Sequence, residues 1–191
     1  MWKKNWRGIL FVVLLGGFFS GLLVFVHMKT DPLIKAQEQR AKEAAILSAL
    51  NLPQEGGASQ YEEFSREAFT FYRSKTDQSI ALVFSGSGLW GPIRGVMSLE
   101  KDLKTLRKVI VLFQEETPGL GGKIGDSAYL ALFGGKIFGP TLKLVKNPQS
   151  ENEVEALSGA TLTSTAFEKI LNETYQRYTA GDLNATGDKT P

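Results

Sequence analysis

Residues 8–27, GILFVVLLGGFFSGLLVFVH, contain no Asp, Glu, Lys or Arg. As a helix rising about 1.5 Å per residue, this run covers about 30 Å, the hydrocarbon thickness of a bilayer. In lipid the backbone has no water to bond, so a single run of this kind must be helical. The flanks give an expected orientation. Lys3, Lys4 and Arg7 precede the run without an acid, whereas Lys29, Lys35 and Arg40 beyond it are mixed with Asp31 and Glu38. The excess of positive charge ahead of the run predicts a cytoplasmic N-terminus, with residues 30–191 on the other side. A cleaved signal peptide would share the basic start. The apolar run is long for one, however, and Phe25-Val26-His27-Met28-Lys29 offers no small-x-small cleavage site.

Composition removes many chemistries. The 191 residues include no cysteine, so disulfides, thiolate metal sites, iron–sulfur clusters and cysteine nucleophiles are excluded. The single histidine, His27, lies in the apolar run, which leaves no Ser-His-Asp set for the rest of the chain. Asp126, Glu151, Glu153 and Glu155 are scattered, and no metal site is expected. The net charge is +2, but the first 30 residues hold four basic groups and no acid, so the remainder stands at −2. That is no footprint for a nucleic acid.

The exposed part reads as an α+β domain with a mainly antiparallel sheet and flanking helices. A helical run, Leu33 to Leu50, follows Pro32, and residues 52–59 break it. Residues 68–73 and 79–84 form an expected strand pair around the turn Ser74 to Gln78. Residues 91–99 and 105–113 form a second around Lys101 to Lys104. Ser85-Gly86-Ser87-Gly88 and 117–122 read as glycine loops, 127–134 as a short helix and 141–146 as a last strand. Phe167, Ile170, Leu171, Tyr175 and Tyr178 share one helical face, and Gly181 is expected to end that helix. The expected organisation is a tail and transmembrane helix at 1–29, a stalk helix and linker at 30–59, a domain at 60–181, and a disordered polar tail at 182–191.

The chemistry concentrates in three short motifs. Ser158-Gly159-Ala160-Thr161 opens the C-terminal helix. Ser158 or Thr165 reads equally as a helix cap, and Thr165-Ala166-Phe167-Glu168 matches a capping box. A helix start also leaves N–H groups free to meet a phosphate, and the Thr161 side chain lies about 120° round the helix from Phe167, off its apolar face. Gly159 and Ala160 leave room for a large ligand. Glu115-Glu116-Thr117-Pro118-Gly119-Leu120-Gly121-Gly122 contains a type II turn pattern, with Pro118 and Gly119 at its centre. Glu115 and Glu116, if in a strand, point to opposite faces and make a poor acid/base pair. Gly88-Leu89-Trp90-Gly91 precedes a strand, with Trp90 either in the core or free to pack on a ligand.

Together these motifs resemble the FMN-binding subunits of Nqr-type and Rnf-type respiratory complexes. Their order and the N-terminal anchor extend the resemblance over nearly the whole chain. It implies FMN joined to Thr161 by a phosphoester, placed there by a separate flavin transferase. Ser158, Gly159, Ala160, Thr117, Gly119, Leu120, Gly121 and Trp90 would surround the cofactor, and no residue would be catalytic. It further implies a single-pass protein of the bacterial cell membrane with an extracytoplasmic flavin domain. Its partners would be the other membrane subunits of the complex and the lipid bilayer. The function implied is electron transfer within a Na⁺-translocating NADH:quinone reductase, as its C subunit, with no independent catalysis. An Rnf-type ferredoxin:NAD oxidoreductase G subunit is the alternative. A non-redox assembly subunit with a vestigial flavin site and a stand-alone flavin reductase are readings of other classes. One departure is Glu155, where the family usually has aspartate three residues before the motif serine.

Overall fold

In a computed structural model, the structure describes residues 6–66 and 69–185. Lys3, Lys4 and residues 186–191 of the expected tail lie outside them. The chain divides into two compact units, residues 1–40 and 41–191. In the first, every residue from Trp6 to Thr30 is exposed, although most are large and apolar. The helix α1 (Trp6–Ala49) is long and apolar enough to cross a membrane. It runs without interruption through Pro32, so the expected anchor and stalk are one element.

The end of α1 is built into the second unit. Asn51 adopts a left-handed conformation (φ 55°), and the Leu52 N–H returns to the Leu47 carbonyl at 2.8 Å. This Schellman closure satisfies carbonyls that a helix end leaves free. Other carbonyls of this end are taken by side chains from the sheet. The Ser98 hydroxyl donates to Ala49 O at 2.7 Å, Arg107 to Leu50 O at 3.3 Å, and Lys108 to Ser48 O at 3.3 Å.

A five-stranded antiparallel meander follows: β1 (Tyr61–Arg66), β2 (Phe69–Ser74), β3 (Ile80–Ser87), β4 (Pro92–Leu99) and β5 (Leu106–Phe113). Both expected hairpins are present. The stretch 85–87, expected as loop, continues β3, with Ser85 opposite Arg94 and Ser87 opposite Pro92. The alternation of side chains sorts the strands into two cores. Ile80, Leu82, Phe84, Ile93 and Met97 face one way. Tyr72, Ala81 and Val96 face the other, packed on Ala45, Ile46 and Ala49 of α1 and on Leu50 just after it.

The first face is covered by the remainder of the chain. A short helix α2 (Ser127–Leu130) is followed by β6 (Lys143–Val145), which pairs in parallel with β7 (Glu153–Glu155). The long helix α3 (Thr161–Ala185) completes the layer. Phe167, Ile170, Leu171 and Tyr178 are buried on its inner side, and Tyr175 stacks on Phe138 with centroids 4.1 Å apart. The helix does not stop at Gly181. A glycine in a helix costs about 1 kcal/mol relative to alanine, which one residue near the end of a packed helix tolerates. Residues 182–185 of the expected disordered tail are therefore helical.

Arg107 fastens β5 to its surroundings. It lies 2.7 Å from Asp77 and forms two bonds with Glu100, at 2.9 and 2.5 Å. Partial burial works to raise the Asp77 pKa, but hydrogen bonds from Ser79 and Arg107 outweigh it and hold it well below the usual 3.8. A carboxylate whose pKa is lower in the folded chain stabilises fully above its unfolded value. That contribution fades as pH falls below 3.8 towards the folded value. Asp77→Asn should therefore lower the urea midpoint of the detergent-solubilised chain most at pH 7 and by less at pH 3, where the loss has begun. An equal deficit at both pH values would contradict this role.

Candidate functional site

The three motifs meet at one side chain. Glu116 lies between β5 and the glycine turn and is only 3% exposed. Its Oε1 accepts the N–H groups of Leu89 at 2.8 Å and Trp90 at 3.1 Å. Its Oε2 accepts the Thr163 hydroxyl at 2.5 Å. One carboxylate thus binds the β3–β4 loop, the segment after β5 and the start of α3. By sequence Glu116 is half of a poor acid/base pair, with no partner in view. Residues 114–117 are not strand, and the pairing that buries Glu116 comes from positions 26, 27 and 47 residues away. The one local signal is a carboxylate directly ahead of a glycine turn, with further glycines at 88 and 121.

Those two glycines are needed for space. A Cβ on Gly121 would lie 2.5 Å from the Thr163 hydroxyl and 3.0 Å from Glu116 Oε2. A Cβ on Gly88 would collide with Glu116 Oε1. Any larger residue at either position would push the carboxylate off its donors.

Two turns of the same kind flank this centre. Leu120 N–H bonds Thr117 O at 3.1 Å with Gly119 at φ 76°, the type II turn expected from Pro118-Gly119. Ala160 N–H bonds Leu157 O at 3.2 Å with Gly159 at φ 77°, which repeats the pattern just before α3. The turns face each other: a Cβ on Gly159 would lie 3.4 Å from Leu120 Cδ2. The second is held by Ser164, whose hydroxyl accepts the Leu157 N–H and donates to Ala160 O, both at 3.0 Å. Upstream, the Tyr129 hydroxyl donates to Glu155 O at 3.0 Å, and burial pushes its pKa up.

Thr161 is the first residue of α3 and is exposed, whereas Thr163 and Ser164 are each 2% exposed and hydrogen-bonded. The expected capping box is absent: Glu168 instead accepts the Leu144 N–H at 2.6 Å. Around the helix start stand four exposed apolar side chains, Leu89, Trp90, Leu120 and Leu162. Trp90 is 70% exposed, which excludes its reading as a core residue. Ser158, Gly159, Thr117 and Gly119 are also exposed, and Ala160 and Gly121 are buried beneath them.

Residues 88–176, which contain all of these motifs, match the FMN-binding domain family. The chain is 37% identical over 99 residues to the C subunit of the Na⁺-translocating NADH-quinone reductase of Vibrio alginolyticus, covering 48% of this chain and 39% of that one. It is 30% identical over 156 residues to the corresponding protein of Pseudomonas aeruginosa, covering 74% of this chain and 59% of that one. The chain is thus similar to these C subunits, and its matched FMN-binding domain spans just under half of its own length. The chain spans about two fifths to three fifths of their length. The fold agrees with the crystal structure of Shewanella oneidensis NqrC, at TM-score 0.66 and 19% identity over 73% of this chain and 93% of that one. It agrees likewise with the C subunit from Parabacteroides distasonis, at TM-score 0.64 and 22% identity over 76% and 94%.

The residues present fit the cofactor of the FMN-binding family. FMN has a flat apolar ring system and a doubly charged phosphate. The exposed Leu89, Trp90, Leu120 and Leu162 supply apolar contact area, with Trp90 the widest face. The start of α3 supplies backbone N–H groups without intrahelical partners and the positive end of its dipole. Gly159, with no side chain, leaves the approach to Thr161 open.

Proposed function

We propose that this chain is a membrane-anchored electron carrier of a Na⁺-translocating NADH:quinone reductase, and that its FMN is esterified to Thr161. The observation that carries the reading is the Thr161 hydroxyl. It is exposed at the first residue of α3, while the hydroxyls two and three residues on are buried and engaged. In the attachment reaction the Thr161 oxygen attacks the FMN phosphorus of FAD. The pyrophosphate bond breaks, AMP leaves, and the hydroxyl proton passes to a base of the transferase. FMN supplies reversible electron chemistry once bound. The protein's part is to hold it, orient it and tune it. A covalent tether suits a domain beyond the cytoplasm, where lost cofactor could not be replaced. The basic residues ahead of the apolar run support that orientation, with the N-terminus inside. Neighbouring membrane subunits would deliver and remove the electrons.

The test uses the full chain made in cells that also express a flavin transferase. After denaturing electrophoresis the band should fluoresce under ultraviolet light, and the flavin mass should map to the peptide bearing residues 158–164. A dark band would sink the proposal. Because the chain has no cysteine, Asn147→Cys provides a unique thiol. It should react with a membrane-impermeant maleimide from outside the cytoplasm, and protection of that thiol would reverse the orientation.

A further inference from the structure

We propose that Glu116 holds a fixed negative charge beneath the flavin site, and that this charge lowers the reduction potential of the flavin while its hydrogen bonds position the surrounding loops. The inference rests on FMN being carried at Thr161.

The carboxylate sits among neutral groups. Glu116 is 3% exposed, and its bonds come from two backbone N–H groups and one hydroxyl. Among the described residues no lysine or arginine pairs with it. Dipoles can make a buried charge tolerable, but they do not cancel it. The groups exposed above it, Leu89, Trp90, Leu120 and Leu162, are all uncharged. Its nearest acidic neighbour in sequence, Glu115, is exposed and therefore screened by water and salt, unlike Glu116.

A clamp alone would not need this charge. A glutamine oxygen would also accept the Leu89 and Trp90 N–H groups, in weaker neutral bonds but without the cost of burying an ion. The charge has a consequence for a redox cofactor held by the same loops. The oxidised isoalloxazine is neutral. Two electrons and one proton convert it to an anionic reduced ring, so reduction adds one negative charge. A buried carboxylate, little screened by water, opposes that addition. Glu116 thereby makes the reduced flavin a stronger donor.

The experiment measures the flavin midpoint potential of the flavinylated full chain, by anaerobic dithionite titration against a reference dye at pH 7. Glu116→Gln, which keeps the acceptor oxygen and removes the charge, should raise the potential. Thr163→Val, which keeps the charge and removes one neutral donor, should leave the potential at or below that of the wild type. Trp90 emission, read in a background with Trp2 and Trp6 changed to phenylalanine, reports whether the 88–91 loop keeps its place. A wild-type potential in Glu116→Gln, or a rise in both variants, overturns the proposal. If Glu116→Gln does not fold, a rise in Thr163→Val alone overturns it, because loop order and not charge would then set the potential. Gel fluorescence separates the two readings. A dark wild-type band removes the flavin and this inference with it. A bright band with an unshifted glutamine variant removes only the role of the charge.

Discussion

Thr161→Ala is expected to accumulate as a folded chain that carries no flavin, a complete loss of in-gel fluorescence. Thr161→Ser should remain labelled. Three threonines lie within five residues here, and the geometry separates them. Thr163 is buried with its hydroxyl on Glu116. Thr165 is exposed, but it lies a turn further along α3, about 6 Å from Thr161 along the axis. At that depth backbone N–H groups are already paired, beginning with Ser164 N–H to Ala160 O at 3.0 Å. Only Thr161 joins an open hydroxyl to the unpaired N–H groups and the dipole end that favour a phosphate, the dipole part contributing about 0.3–1 kcal/mol. The variant loses no buried contact, so its denaturation midpoint and its Trp90 emission, read with Trp2 and Trp6 changed to phenylalanine, should match those of the wild-type chain made without the transferase. Undiminished flavin on Thr161→Ala would mean that the attachment point lies elsewhere. A fall in stability along with the flavin would mean that Thr161 is a structural residue.

Thr161 and the glycine turn are visible in the sequence because local rules govern both. A positive φ at the third position of a turn calls for glycine, and a helix start calls for small polar residues. The two strand pairs and the apolar face of α3 are readable for the same reason, since their periods repeat over a few residues. What escapes is non-local or too short to show a period. β1 carries Glu62 and Glu63 side by side, which lowers its strand preference, and it survives as an edge strand paired on one side only. β7 has three residues. Glu116 escapes most completely. Acidic residues are usually exposed, and nothing near it in sequence announces donors from the β3–β4 loop and α3. The glycines at 88 and 121 are its trace, since they mark where the backbone and α3 close around a side chain.

Phe167→Ala is expected to destabilise the extramembrane unit by about 3–5 kcal/mol, the range for deleting a fully buried aromatic ring. Phe167 has no exposed surface, and its ring meets Phe84 of β3 edge-on at 5.9 Å and Phe133 at 5.6 Å. It is therefore the point at which α3, the sheet and the segment after α2 interlock. Set against the roughly 5–15 kcal/mol that holds a typical domain together, the loss is a large fraction of the whole. Leu162→Ala, on the same helix but 65% exposed, should change stability by no more than about 0.5 kcal/mol. The pair separates what α3 does for the fold from what it does for the cofactor. Urea titration followed by Trp90 emission, with Trp2 and Trp6 replaced, should show a large midpoint shift for Phe167→Ala and almost none for Leu162→Ala. The flavin spectrum should reverse that order, because Leu162 stands beside Thr161, the proposed attachment residue, and Phe167 faces the core. A Phe167→Ala unfolding free energy within about 1 kcal/mol of the wild type would show that the core closes over the missing ring, and that α3 is held chiefly by its other contacts.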